Sequence, residues 1–235
     1  MRLFTLLLFA LMPALAAIPT AAADDKLPEP TRKEIFTSQN NLKQMGLAFH
    51  IHHDAIGYLP NNTYTKDGKG LLSWRVFILP YIEQDQLYKQ FKLDEAWDSD
   101  TNKPLIAKMP KLYAPIRVKG KEGETFYRGF AGKGALFGPD NGKGLKISSI
   151  ADGTSNTGMI FEAGAATIWT KPDDLVFDAK KPLAKLGGMF EGLSNVAMCD
   201  GSVRRLRKDA DEKELRKLIG YNDGEVNDFT KLDPK

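Results

Sequence analysis

The sequence predicts an α+β fold, with a long N-terminal helix packed on a small antiparallel β-rich domain and a short helix near the C-terminus. Three patterns support it. An amphipathic pattern follows residue 31, an apolar run ends in an Asp-Gly turn at residues 200–201, and a helix-capping pattern begins at residue 211. Because helical and strand patterns are segregated along the chain and do not alternate, the α+β class fits better than α/β.

Residues 1–23 have the three parts of a secretory signal peptide. Arg2 supplies a positive charge, residues 3–17 form an apolar run, and residues 21–23 are alanines of the kind found at a peptidase site. The apolar run has 15 residues, whereas a membrane-spanning helix needs about 20. We therefore predict cleavage after Ala23 and an extracytoplasmic protein (periplasmic, at the cell surface or secreted). An uncleaved membrane anchor is the alternative.

Residues 24–30 are predicted to be a linker and residues 31–235 a single domain. Removal of 23 residues from 235 leaves 212 and lowers the net charge from +3 to +2, since Arg2 is lost. A nearly neutral chain without a large basic cluster argues against nucleic-acid binding. No later stretch is apolar enough to span a membrane. Cys199 is the only cysteine, so no internal disulfide can form and a buried apolar core must stabilise the domain.

The first helix is predicted over residues 32–54, ending before Gly57. Thr31 and Glu34 have the capping-box spacing, in which the hydroxyl and the carboxylate satisfy two free backbone amides. One helical face is apolar; it carries Ile35, Leu42, Met45 and Phe49.

A second helical stretch is predicted over residues 71–91, with a break or kink near Pro80, which lacks an amide donor. Large aromatic and aliphatic side chains recur along it: Trp74, Phe77, Ile78, Tyr81, Ile82, Tyr88 and Phe91. We interpret this row as part of the core. The alternative is an aromatic platform for a ligand.

The strands are predicted in the second half of the chain. Residues 147–150 resemble a short helical turn, residues 152–156 a loop turn, and residues 159–161 a strand. Residues 195–207 form the strongest hairpin pattern, with Asp200-Gly201 expected in a type I′ turn that needs positive φ at both residues. A short helix capped by Asp211 should follow; its apolar residues are Leu215, Leu218 and Ile219, and it should end at Gly220.

His50, His53 and Asp54 are the candidate metal ligands. At spacings of three and four residues on a helix they share one face, and imidazole and carboxylate groups suit zinc. No fourth ligand can be identified, and structural or solvated histidines are the alternative. No catalytic motif is present, so we predict no enzymatic activity and no cofactor. The expected partner is an unidentified protein or cell-envelope component.

Three segments together resemble one family. They are NNLKQMGLAFH (residues 40–50) with His53-Asp54 and residues 57–60; SWRVFILPYIEQ (73–84) with residues 87–88 and 91–97; and IADGTSNT (150–157) with Glu162 and the DGSV of residues 200–203. This combination resembles the exported or pilin-like domain of unknown function 1559. That family is abundant in planctomycetes, and some members are filed under a solute-binding label.

The resemblance implies a pseudopilin-like architecture, in which a long helix leads into a small β-rich head. It implies no established activity. The sequence departs from the family in two places: residues 3–6 lack the Gly and Glu of a prepilin cleavage site, and Phe190 stands where the family has a histidine ten residues before the Asp-Gly. The leading hypothesis is therefore an exported, non-enzymatic, pseudopilin-like interaction module. An extracytoplasmic protein that binds a small solute or metal is the alternative.

Overall fold

The computed structural model describes residues 28–138 and 142–234. The predicted signal peptide and its cleavage site after Ala23 lie outside these residues. The predicted α+β architecture is confirmed: a long N-terminal helix, an antiparallel sheet of four strands and a short C-terminal helix. In the described part of the chain, no helix has the length and apolar character needed to cross a membrane.

The first helix, α1, spans Arg32–Ile56, close to its predicted bounds. Its capping box is present: the Glu34 amide donates to the Thr31 hydroxyl at 3.2 Å, and the Thr31 amide donates to the Glu34 carboxylate at 2.7 Å. The helix ends at Gly57, whose φ of 87° is in the left-handed region that glycine adopts without steric cost. Local residue chemistry therefore determines both ends of α1.

The predicted helical stretch over residues 71–91 is wrong as a continuous element. The chain instead forms α2 (Trp74–Phe77), a 3₁₀ turn (Leu79–Ile82) and α3 (Asp85–Tyr88). Pro80 lies in the 3₁₀ turn, where the break was expected, and Glu83 ends that turn with a φ of 61° in the left-handed region. The Ser73 amide donates to the Thr170 carbonyl at 2.9 Å and the Trp74 amide to Asn62 Oδ1 at 3.0 Å, so distant partners fix where α2 begins.

The main sheet contains β1 (Glu124–Arg128), β3 (Gly158–Ile168), β5 (Ser194–Met198) and β6 (Val203–Leu206), all antiparallel and in that order. Between them, β2 (Phe130–Ala131) and β4 (Leu175–Val176) form a two-stranded parallel sheet. The strand predicted at residues 159–161 is the start of the longer β3, and the helical turn predicted at 147–150 is a 3₁₀ turn over Ile147–Ser149.

The hairpin predicted at residues 195–207 is confirmed, but its turn is not type I′. Of the two turn residues, Asp200 and Gly201, only Gly201 has positive φ (84°). The Gly201 amide donates to the Met198 carbonyl at 3.0 Å, and the Met198 amide donates to the Ser202 carbonyl at 2.8 Å. The loop is therefore a type I turn followed by a left-handed glycine, which forms a bulge between β5 and β6.

The sheet has an apolar cluster on each face. Alternate residues of β3 and β5 point in opposite directions: Ile160 and Ala197 join the cluster beneath α1, and Phe161 and Val196 join the other cluster. The last helix, α4 (Glu212–Ile219), packs on this second face and is capped by Asp211, as predicted. The domain thus has three layers, with α1 on one face of the sheet and α4 on the other.

Candidate functional site

A buried carboxylate joins α1 to the sheet. Glu162, in the middle of β3, faces α1 and is 0% exposed. It accepts hydrogen bonds from the Asn195 amide at 2.7 Å, from Asn195 Nδ2 at 3.0 Å and from the Ser38 hydroxyl on α1. The Ser38 hydroxyl also lies 3.0 Å from the hydroxyl of Tyr127 on β1. The cluster therefore connects one helix with three strands.

Burial dominates the electrostatics of this cluster. It raises the pKa of Glu162 from 4.5 to about 7, even though the hydrogen bonds from Asn195 and Ser38 favour the charged form. Burial also raises the pKa of Tyr127, with a further contribution from the neighbouring Glu162. No part of the Glu162 side chain reaches solvent, and its hydrogen bonds hold α1 against the sheet.

A second buried network surrounds Asp174. Its carboxylate accepts hydrogen bonds from Asn62 Nδ2 at 2.7 Å, the Gly129 amide at 2.9 Å and Trp74 Nε1 at 3.3 Å. The guanidinium of Arg75 lies 3.5 Å away, and both side chains of this ion pair are fully buried. Burial lowers the pKa of Arg75 to about 10, although Asp174 opposes the shift. These partners hold α2 against β1 and the segment before β4.

The aromatic row of residues 74–91 contributes to the core. The Trp74 ring is completely buried and lies 5.0 Å from Phe49 of α1 and 5.8 Å from Phe137, measured between ring centroids. Tyr81 is half-buried and packs edge-on against His52 at 5.6 Å. The contact between Trp74 and Phe49 supports the core interpretation over a ligand platform.

The predicted metal ligands His50, His53 and Asp54 are in the last two turns of α1. His53 Nε2 accepts a hydrogen bond from the Ile147 amide at 3.3 Å, and its Nδ1 is 3.7 Å from the Asp54 carboxylate. His50 is half-buried beside the hairpin turn, where a Cβ on Gly201 would lie 3.8 Å from its Nε2. Across residues 28–138 and 142–234, no group of three or more histidine, cysteine, aspartate or glutamate side chains could hold a metal ion. The zinc site stays a prediction.

The sequence patterns did not single out the solvent-facing side of α1. Phe36, Leu47 and Ile51 are 66%, 60% and 40% exposed, although all three are large and apolar. Leu47 follows Phe36 by eleven residues and Ile51 follows Leu47 by four, spacings that place them along one side of a helix. We call this side, which begins at Lys33 and ends at Asp54, the outer face of α1. The periodicity was visible in the sequence, but the opposite side is apolar too.

Phe190 occupies the place where related sequences are expected to have a histidine. It is 1% exposed and belongs to the apolar cluster beneath α1. Cys199 is also buried, and burial raises the pKa of its thiol, which disfavours the reactive thiolate. Both side chains therefore act in packing.

The comparisons with known proteins agree with the motifs described above. No curated protein and no solved structure matches the chain. A family model described as "Protein of unknown function (DUF1559)" matches residues 36–182, which include most of α1, the Glu162 carboxylate and the Asp174 network. The match covers more than half of the 235 residues. The chain therefore belongs to the DUF1559 family.

Proposed function

We propose that this chain is an exported, non-catalytic, pseudopilin-like interaction module that contacts its partner through the outer face of α1. The observation that carries the proposal is the exposed row of Phe36, Leu47 and Ile51 on a helix that is otherwise firmly bound to the sheet. Isolated exposed apolar residues are common on soluble proteins. A row of them along one helix is typical of a protein-interaction surface.

These exposed side chains gain most in free energy when a partner covers them. Burying a Leu, Ile or Phe side chain is worth about 1.5–3 kcal/mol. In the folded domain the opposite face of α1, with Leu42, Met45 and Phe49, already obtains this gain. A partner on the outer face would provide it for the remaining row.

The non-catalytic part of the proposal is supported by the use of the buried acids. Glu162 and Asp174 are surrounded by hydrogen-bond donors from the protein itself and take part in holding elements together. A catalytic acid must instead reach a substrate within hydrogen-bond distance. Each of these two carboxylates therefore has a structural role that accounts for its position.

Export is tested by N-terminal sequencing of the protein recovered from cell fractions. We expect an extracytoplasmic protein whose first residue is Asp24, because the small residues before it suit a signal peptidase. Recovery of the intact leader in the membrane fraction would support the anchor. Recovery of the full-length chain in the cytoplasm would contradict export.

The contact surface is tested by photo-crosslinking in the native cells. A benzophenone amino acid replaces Leu47 on the outer face or, as matched controls, Val176 or Val226, which are also exposed apolar residues but lie away from α1. We expect adducts from position 47 and none from positions 176 and 226. Adducts that form equally at all three positions, or at none, would overturn the proposal.

A further inference from the structure

The outer face of α1 has a regular composition. Its exposed residues recur at intervals of three or four: Lys33, Phe36, Asn40, Lys43, Leu47, Ile51 and Asp54. On an α-helix this spacing produces a straight stripe. At 1.5 Å per residue the stripe is about 32 Å long, so it offers a contact surface of the length found in helix–helix interfaces.

The two ends of the stripe are complementary to each other when the stripe is reversed. A cation, Lys33, stands at one end and an anion, Asp54, at the other, and the next position inward is a large apolar residue in both cases, Phe36 and Ile51. If a second α1 runs antiparallel, with the midpoint between residues 43 and 44, Phe36 faces Ile51 and Lys33 faces Asp54. Each of these two contacts then occurs twice.

We propose that two copies of this chain associate through the outer faces of their α1 helices, antiparallel, about a two-fold axis between residues 43 and 44. This inference rests on the proposed function, because it names the partner of the same surface. Two-fold contacts require a self-complementary patch, and the reversed order of charge and apolar residues supplies one. The Asp54 carboxylate is available for the contact, since its side chain is 83% exposed.

Charge decides between the two possible directions. A parallel pair would place Lys33 against Lys33 and Asp54 against Asp54, and like charges face to face disfavour a pairing. The antiparallel pair replaces both repulsions with attractions. It brings the two Lys43 side chains near the axis, where their long stems can carry the charged groups outward to water.

Purified mature protein tests the association itself. Light scattering after size exclusion is measured over a concentration series, with sedimentation equilibrium for the dissociation constant. We expect the wild type to reach twice the monomer mass, and Leu47→Asp to raise the dissociation constant at least tenfold. Val226→Asp is the control, because it places the same charge on an exposed site away from α1. A wild type that stays monomeric at about 100 μM would overturn the proposal.

A charge exchange tests the direction. Lys33→Glu and Asp54→Lys should each weaken association by about three- to tenfold, since each creates two like-charge contacts of modest strength. The double variant restores both pairs and should recover the wild-type dissociation constant. If Asp54→Lys weakened association only because the contact with His53 or the stability of α1 was lost, adding Lys33→Glu would not restore association. Failure of the double variant to recover would contradict the antiparallel pairing.

Disulfide trapping tests the register. Cys199 is 1% exposed, so an added surface cysteine is the reactive thiol. Lys43→Cys, near the axis, should form a disulfide with its own copy. Phe36→Cys should not, because its two copies would lie about 22 Å apart along the helices, but it should join Ile51→Cys when the two variants are mixed. Self-coupling of Phe36→Cys would indicate a parallel pair and refute the proposal.

The two proposals fail in different ways. If the purified protein is monomeric but position 47 still photo-crosslinks to another envelope protein, the pairing of two copies is refuted and the interaction surface stands. If neither association nor position-specific adducts are found, both are refuted.

Discussion

The backbone amide and the side-chain amide of Asn195 both donate to the carboxylate of Glu162, at 2.7 Å and 3.0 Å, across the β3–β5 pair. The Ser38 hydroxyl approaches the same carboxylate from α1. An acidic group in the centre of the domain therefore binds the helix to the sheet. Its protonation state should affect how stable the whole domain is.

Stability is expected to depend on pH through Glu162. Burial raises the pKa of this carboxyl from 4.5 to about 7. Between these two pH values the folded state therefore keeps a proton that the unfolded state has released. The stabilising contribution is complete below pH 4.5 and is lost as pH rises through 7, by up to about 3 kcal/mol. Urea denaturation of the wild type and of Glu162→Gln between pH 5 and pH 8 measures this loss of stability.

The difference in stability between the wild type and the Glu162→Gln variant reports on Glu162 and not on the other titrating groups. Burial lowers the pKa of His52, so the folded state binds a proton at this group less readily than the unfolded state does. The contribution of His52 to stability therefore decreases as pH falls below the pKa of the unfolded state, whereas the contribution of Glu162 increases. His52 is present in both proteins, so its effect cancels in the difference. A difference that does not change between pH 5 and pH 8 would show that Glu162 titrates normally.

The buried ion pair predicts a large cost for removing one partner. Asp174→Ala leaves the guanidinium of Arg75 buried without its carboxylate, and we expect a loss of about 3–5 kcal/mol in the free energy of unfolding. Asp209→Ala is the control. Its ion pair with Arg207, at 2.6 Å, is on the surface, so we expect a change below about 1 kcal/mol. Equal losses in the two variants would contradict the assignment of Asp174 as a structural centre.

The hairpin turn predicts that Gly201 is sensitive to substitution. Its φ of 84° costs an L-residue about 1–2 kcal/mol, while an added Cβ would meet only the imidazole of His50, at an ordinary 3.8 Å. Gly201→Ala should therefore lower the free energy of unfolding by about 1 kcal/mol. Gly201→Asn should lose less, because asparagine tolerates the left-handed region. The opposite order would point to crowding by His50 as the cause.

Zinc titration tests the predicted metal site. The His53 Nε2 lone pair accepts from the Ile147 amide, so binding zinc through this atom would break a hydrogen bond. We expect zinc to leave the melting temperature of the mature protein unchanged, and His53→Ala to lower it through loss of that bond. A rise in melting temperature with zinc that disappears in both His50→Ala and Asp54→Ala would establish the site.

Much of the local structure could be read from the residues. The capping box of Thr31 and Glu34, the end of α1 at Gly57 and the Asp211 cap of α4 were predicted correctly, because each depends on contacts between residues at most four positions apart. The Asp-Gly hairpin was also predicted, since an apolar run that ends in this pair is a short-range signal. Its turn type was not, because the bulge between β5 and β6 depends on how the strands pair.

Contacts between distant residues decided the rest. Residues 71–91 have a helical pattern, but Pro80 and the left-handed backbone of Glu83 divide it. Asn62 and Thr170, both distant in sequence, accept hydrogen bonds from the amides of Trp74 and Ser73 and fix where α2 begins. Ser38 and Glu162 are 124 positions apart. No local pattern indicates that a serine on a helix will meet a carboxylate on a strand, because the meeting depends on the register of β3 and the docking of α1.

The sequence by itself predicted α1 as a capped helix with an apolar face at Ile35, Leu42, Met45 and Phe49, and the structure buries Leu42, Met45 and Phe49. It did not determine whether further apolar residues on the same helix would be covered, because helical periodicity describes the spacing of side chains and not what covers them. The tertiary structure made that choice: the sheet covers the side of Leu42 and Met45 and holds it with the Glu162 cluster, and Phe36, Leu47 and Ile51 remain in contact with solvent.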